Sequence, residues 1–128
     1  GPFGSTAADA GPQGLTWGED RVLYVGNSTA NGEYNTADLD KMTQEVATVF
    51  NARVTASAPI SPVHILVALD GGDLYRYNSL TKQAEFALYL MTGGTSLSHD
   101  PFTGHVYASL STLDVVRISP FTEEVEPF

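Results

Sequence analysis

The 128-residue chain reads as all-β, and three observations lead there. No stretch sustains the apolar spacing of an amphipathic helix; short alternating runs bounded by Gly, Pro, Asn and Asp recur instead. The charged fraction is only 16% against 42% hydrophobic, an ordinary globular balance. Most telling, the chain repeats itself. Residues 37–46 align with 75–84 and with 116–125, each carrying an apolar residue (Leu39, Tyr77, Ile118) and then a small turn-former (Asp40, Asn78, Ser119). A threonine follows three positions on (Thr43, Thr81, Thr122), and these threonines are 38 and 41 residues apart. Four short strands in roughly 40 residues is the length of a β-propeller blade, with a generic β-sandwich as the alternative. The prediction is three four-stranded antiparallel blades, at about 14–52, 53–91 and 92–128.

The elements follow in order. Residues 1–13 are small and Gly/Pro-rich and read as a flexible arm. In the first repeat, 14–17 and 21–25 are strands split by Gly18-Glu19-Asp20. A loop rich in Asn, Ser and Thr follows. Measured from Tyr24 to Thr43 and from Tyr107 to Thr122, that loop carries an insertion of four relative to the third repeat. Segment 35–48 has some helical spacing, but its match to the other repeats argues strand–turn–strand. The second repeat pairs 63–67 with a strand beyond the tight hairpin Asp70-Gly71-Gly72-Asp73. The third pairs 95–98 with 105–109 across Asp100-Pro101-Phe102-Thr103-Gly104.

Two patterns in these segments, Gly14-Leu15-Thr16-Trp17 … Leu23-Tyr24-Val25 and Asp100-Pro101-Phe102-Thr103-Gly104-His105-Val106-Tyr107, resemble the NHL-repeat and gluconolactonase-like six-bladed propellers. The Gly usual after the repeat threonine is replaced by Gln44, Lys82 and Glu123. In the lactonase branch the resemblance implies an axial metal held by carboxylates and an Asn, one of them a Glu just ahead of the first Gly-Pro. Ala10 stands there, before Gly11-Pro12. A metal-dependent lactonase-type hydrolase is therefore the third-ranked function, and no catalytic residue, metal ligand or cofactor is assigned.

Charge removes further classes. The net charge of −9 leaves no basic stripe for phosphate, so nucleic acid is not an expected partner. The longest apolar runs, 65–69 and 86–91, are too short to insert in a membrane. With no cysteine there is no disulfide or thiolate chemistry. The acidic balance fits an extracellular or cell-surface setting.

Three blades leave two open faces, because each blade packs both faces against neighbours. The expected function is therefore a self-assembling structural or scaffold protein, its partner another copy of itself in a ring or a filament. The segment 86–91 is apolar on both alternating sides, which makes Phe86, Leu88, Tyr89, Leu90 and Met91 the expected assembly interface. The alternative is a carbohydrate-binding, lectin-like module using polar rim loops, with Asn27, Asn31, Asp70, Asp73 and Asp114 as its binding residues. Trp17 and Tyr24 are expected in blade-to-blade packing and His64 in the core or an interface, with His99 and His105 facing solvent. Arg76 and Arg117 are equivalent in two repeats, with Asp38 in that place in the first.

Overall fold

A computed structural model describes residues 12–27 and 32–128. The described residues form three four-stranded antiparallel meanders without a helix. The first blade comprises β1 (Pro12–Trp17), β2 (Leu23–Asn27), β3 (Glu33–Asp38) and β4 (Thr43–Val49). The second comprises β5 (Val54–Pro59), β6 (His64–Leu69), β7 (Asp73–Asn78) and β8 (Gln83–Tyr89). The third comprises β9 (Gly94–His99), β10 (Val106–Leu110), β11 (Val115–Ser119) and β12 (Glu124–Pro127). The sheets meet through β1, β5 and β9, which lie side by side at the inner edge, while β4, β8 and β12 form the outer edge. This is propeller packing. Pro12 and Gln13, expected within the arm 1–13, belong to β1 and pair with Asn27 and Gly26; residues 1–11 lie outside the described part.

Turn chemistry sets the strand ends. Asp100 Oδ1 accepts the Phe102 amide at 2.9 Å and its Oδ2 accepts the Thr103 hydroxyl at 2.7 Å, closing the β9–β10 turn. Those bonds, the Thr103 hydroxyl foremost, hold the Asp100 carboxyl below the usual carboxylate range. Asn78 Oδ1 accepts the Leu80 and Thr81 amides at 2.9 and 3.1 Å; Asp38 Oδ1 accepts those of Asp40 and Lys41 at 3.0 and 3.1 Å. Met42, Lys82 and Glu123 close the three outer turns at φ of 53°, 59° and 66°, where glycine would be unstrained.

These turns correct the repeat alignment. The equivalent turn-formers are Asp38, Asn78 and Ser119, so the first repeat sits two residues earlier than its sequence match suggests. Strand register agrees, with Leu23 opposite Ala37, Ile65 opposite Tyr77 and Val106 opposite Ile118. The first inner hairpin is accordingly two residues longer than the others, not four. Thr36, not Asp38, is the counterpart of Arg76 and Arg117.

Two apolar layers hold the blades together, and both belong to the middle blade. Along β6, Ile65, Val67 and Leu69 join Val54 and Tyr77 against Tyr24, Tyr34 and Phe50 of and just beyond the first blade. Leu66 and Ala68 alternate with them and join Leu74 and Leu88 against Val106, Ala108 and Ile118 of the third. A strand buried on both faces reads as a continuous apolar run, which is why β6 lacks alternation. The same geometry corrects the expected assembly interface. Leu88 is buried and Leu90 packs beside it inside the chain, against the third blade. Phe86, Tyr89 and Met91 are exposed, Phe86 standing edge-on to Tyr75 at 5.7 Å.

Candidate functional site

One rim of the arc is built from the inner hairpins and the blade-to-blade links. The Asp70 amide donates to the Arg53 carbonyl, the Ser111 amide to that of Gly93 and the Leu90 amide to that of Gly72, each at 2.9 Å. Gly72 is needed there: at φ 114° it lies so close to the β8–β9 link that a Cβ would meet the Thr92 carbonyl oxygen at 2.8 Å.

These contacts shape a cleft of about 470 Å³ lined by residues of all three blades. Gln13 and Thr55 reach it from the inner strands, Met91, Thr92 and Gly93 from the link, and Asp70 and Ser111 from the hairpins. The Thr92 and Ser111 hydroxyls share a hydrogen bond of 2.7 Å, and Asp70 lies 3.5 Å from the Arg53 guanidinium in an exposed pair. Hydroxyls, a carboxamide and a carboxylate suit hydrogen bonding to a polar ligand. Among the described residues no three His, Asp or Glu side chains are placed to hold a metal ion together.

Of the sequence-expected binding residues whose side chains are described, only Asp70 lines this cleft. Asp73 opens β7 opposite Tyr89, and Asp114 accepts the Thr112 hydroxyl at 3.0 Å within its own hairpin. The Asn27 side chain and Asn31 lie outside the described part. The cleft residues that sequence reasoning missed are Gln13, Thr55, Thr92 and Ser111. β5 carries two hydroxyls, Thr55 and Ser57, and nothing in the sequence singles out Thr55.

A second cleft, about 270 Å³, separates the outer halves of the first and second blades. It exists because Thr36 stands where Arg76 stands one blade later, leaving Glu45 on one wall and Lys82 on the other. Its floor is aromatic. Tyr24 stacks on Tyr34 at 5.6 Å and meets Tyr77 edge-on at 6.0 Å, and its hydroxyl donates to Asp20 Oδ2 at 2.7 Å. Burial pushes the phenols of Tyr24, Tyr34 and Tyr77 up, and the Asp20 carboxylate adds to this at Tyr24 and Tyr77.

The histidines divide. His64 shares a hydrogen bond of 2.8 Å with Ser61 and stands edge-on to Phe121 of the third blade at 5.4 Å. His99 departs from the solvent-facing expectation: its Nε2 is buried, without a hydrogen-bond partner among the described atoms. Trp17 also departs, being 51% exposed on the outer face of the first blade rather than packed between blades.

Each terminal blade has one face against which no other described blade packs, although Asn35 and Ala37 on that face of the first blade are buried. On the first, Leu15, Trp17 and Val46 are exposed. On the third, Tyr107, Ser109, Arg117 and Ser119 alternate with the buried Val106, Ala108 and Ile118, making this face more polar. The ring of Phe128 rests edge-on to Tyr107 at 5.2 Å.

Solved structures share this architecture. TolB from Acinetobacter baumannii superposes with a TM-score of 0.72 at 16% identity, over 95% of this chain and 33% of its own. An auxiliary nutrient binding protein from Bacteroides thetaiotaomicron gives 0.71 at 11%, over 91% of this chain and 30% of its own. The extracellular domain of BT4673 from the same organism, assigned as a one component system, gives 0.71 at 14%, over 91% and 16%. The chain thus has a propeller-type fold and spans a third or less of the length of these proteins. No protein-family model and no curated protein matches it.

Proposed function

We propose that the chain is a self-assembling structural module, a three-blade arc that covers its open faces with further copies of itself in a ring or filament. The observation that carries this is the contrast between blades. The middle blade is buried on both faces, whereas the first leaves Leu15, Trp17 and Val46 exposed where a preceding blade would pack. Apolar area of this kind favours association through its removal from water. The role is non-catalytic, and an extracellular or cell-surface setting accords with the likeness to an extracellular domain. Light scattering after size exclusion tests the reading: multiples of 13.7 kDa are expected, growing with concentration. A single 13.7 kDa species at every concentration overturns it.

A second reading, a carbohydrate-binding module, draws on the rim cleft with Asp70, Thr92 and Ser111. Its test is a glycan array, with Thr92→Ala and Ser111→Ala expected to abolish any retained signal. An array without signal sets that reading aside.

A further inference from the structure

The uncovered face of the third blade repeats half of the contact that joins the second blade to the third. Register places Arg76 of β7 opposite Glu85 of β8, and Arg117 of β11 opposite Glu126 of β12. Both arginines pair with those glutamates on their own blade. Arg76 reaches further. Its Nη1 donates to the Pro120 carbonyl at 2.8 Å and its Nη2 to Glu123 at 3.0 Å, both in the outer turn of the next blade. Its side chain is 10% exposed, and that of Arg117 is 36% exposed. Arg117 interacts with Glu126 and Tyr107 of its own blade, and no acceptor from another blade among the described residues meets it.

The first blade of a second copy supplies the carbonyl half of a matching surface, with Met42 standing where Glu123 stands. Its outer turn begins at Asp38 and closes at Met42, as the third blade's turn begins at Ser119 and closes at Glu123. By that correspondence Leu39 offers the carbonyl that Pro120 offers, and Asp40 stands where Phe121 stands. Phe121 meets His64, and the counterpart of His64 in the third blade is His105. A copy-to-copy junction therefore sets Arg117 on the Leu39 carbonyl and His105 on the Asp40 carboxylate. The junction between the first and second blades has Val22 and Leu80 at the positions of His105 and Asp40, so this polar pairing is peculiar to the chain's two ends. It also covers Trp17 and Val46 with the face that bears Tyr107 and Val115.

We propose that copies of this chain join head to tail, third blade to first, with Arg117 and His105 of one copy seated on Leu39 and Asp40 of the next. This rests on the self-assembly reading and names its interface. The contact is continuous in geometry with the two junctions inside the chain, and it sets a cation and an imidazole against a carbonyl and a carboxylate.

Sedimentation equilibrium on the full chain tests it, with Arg117→Ala, His105→Asp, Asp40→Lys and the double variant of the last two. Arg117→Ala is expected to raise the dissociation constant at least tenfold. Each single charge variant is expected to raise it severalfold, and the double variant to recover most of that loss. Melting of dilute Arg117→Ala and Asp40→Lys should lie close to the parent, whereas His105→Asp sets a carboxylate near Asp100 and is read through its rescue by the double variant. A parent that never exceeds 13.7 kDa overturns the self-assembly reading, leaving the open faces to other blades. A parent that assembles while Arg117→Ala and the charge exchange leave its affinity unchanged overturns this interface alone.

Discussion

Leu66→Ala tests the central feature of the fold, a middle blade clamped on both faces. Leu66 is fully buried on β6, opposite Ala58 on β5 and Arg76 on β7, and packs with Leu74, Val106, Ala108 and Ile118. The substitution removes three carbons, about 2.4 kcal/mol at roughly 0.8 kcal/mol per buried group. The cavity adds to this, because hydrogen-bonded sheets on both sides restrict collapse, giving a loss of about 3–4 kcal/mol. Against a stability of about 5–15 kcal/mol for a typical domain, that is a large fraction. Urea unfolding followed by circular dichroism and by fluorescence of Trp17, the sole tryptophan, measures it. Leu15→Ala, on the open face and 64% exposed, serves as the comparison and should cost no more than about 0.5 kcal/mol in dilute protein. A Leu66→Ala loss under about 1 kcal/mol, or a Leu15→Ala loss of equal size, would refute the account of where the core lies.

Further outcomes follow from the turns and the tyrosine cluster. Burial raises the phenols of Tyr24, Tyr34 and Tyr77 above the value of about 10 that they have when unfolded, so the unfolded chain releases protons first. Their contribution to stability is therefore complete below about pH 10 and is lost as pH rises through the folded values. Phenolate absorbance should show three of the six tyrosines ionising late, together with unfolding; six ordinary titrations in a folded chain would contradict this. Met42→Gly relieves a left-handed residue in an exposed turn and should raise stability by about 0.5–1 kcal/mol in a urea titration, the strain relieved minus the greater entropy of glycine. Gly72→Ala places a Cβ against the Thr92 backbone at positive φ and should cost about 1–3 kcal/mol; an unchanged urea midpoint would show that the rim is not stitched as described.

How far the sequence could be read depended on how local each cause was. The blade repeat was legible because period-two alternation and Asp, Asn and Gly turn chemistry act within a few residues. The alignment of the first repeat was not. Asp38 and Asp40 are both competent turn-formers, and only the bonds from Asp38 Oδ1 to the Asp40 and Lys41 amides select between them. The equivalence of Arg76 and Arg117 was visible in sequence, but its meaning lay in Pro120 and Glu123, more than 40 residues further on from Arg76. The rim site was legible only through Asp70, since Gln13, Thr55, Thr92 and Ser111 come from four separate segments.

By itself, then, the sequence determined strand chemistry and the number of blades in this stretch of chain, both consequences of periodicity and count. Only the tertiary structure decided which apolar residues pack between blades. Along 86–91, Leu88 and Leu90 turn inward against the third blade, whereas Phe86, Tyr89 and Met91 remain exposed. Alternation says that neighbours along a strand point apart, but not which side holds another blade. That depends on where the next sheet packs, and a two-sided apolar strand is compatible with either.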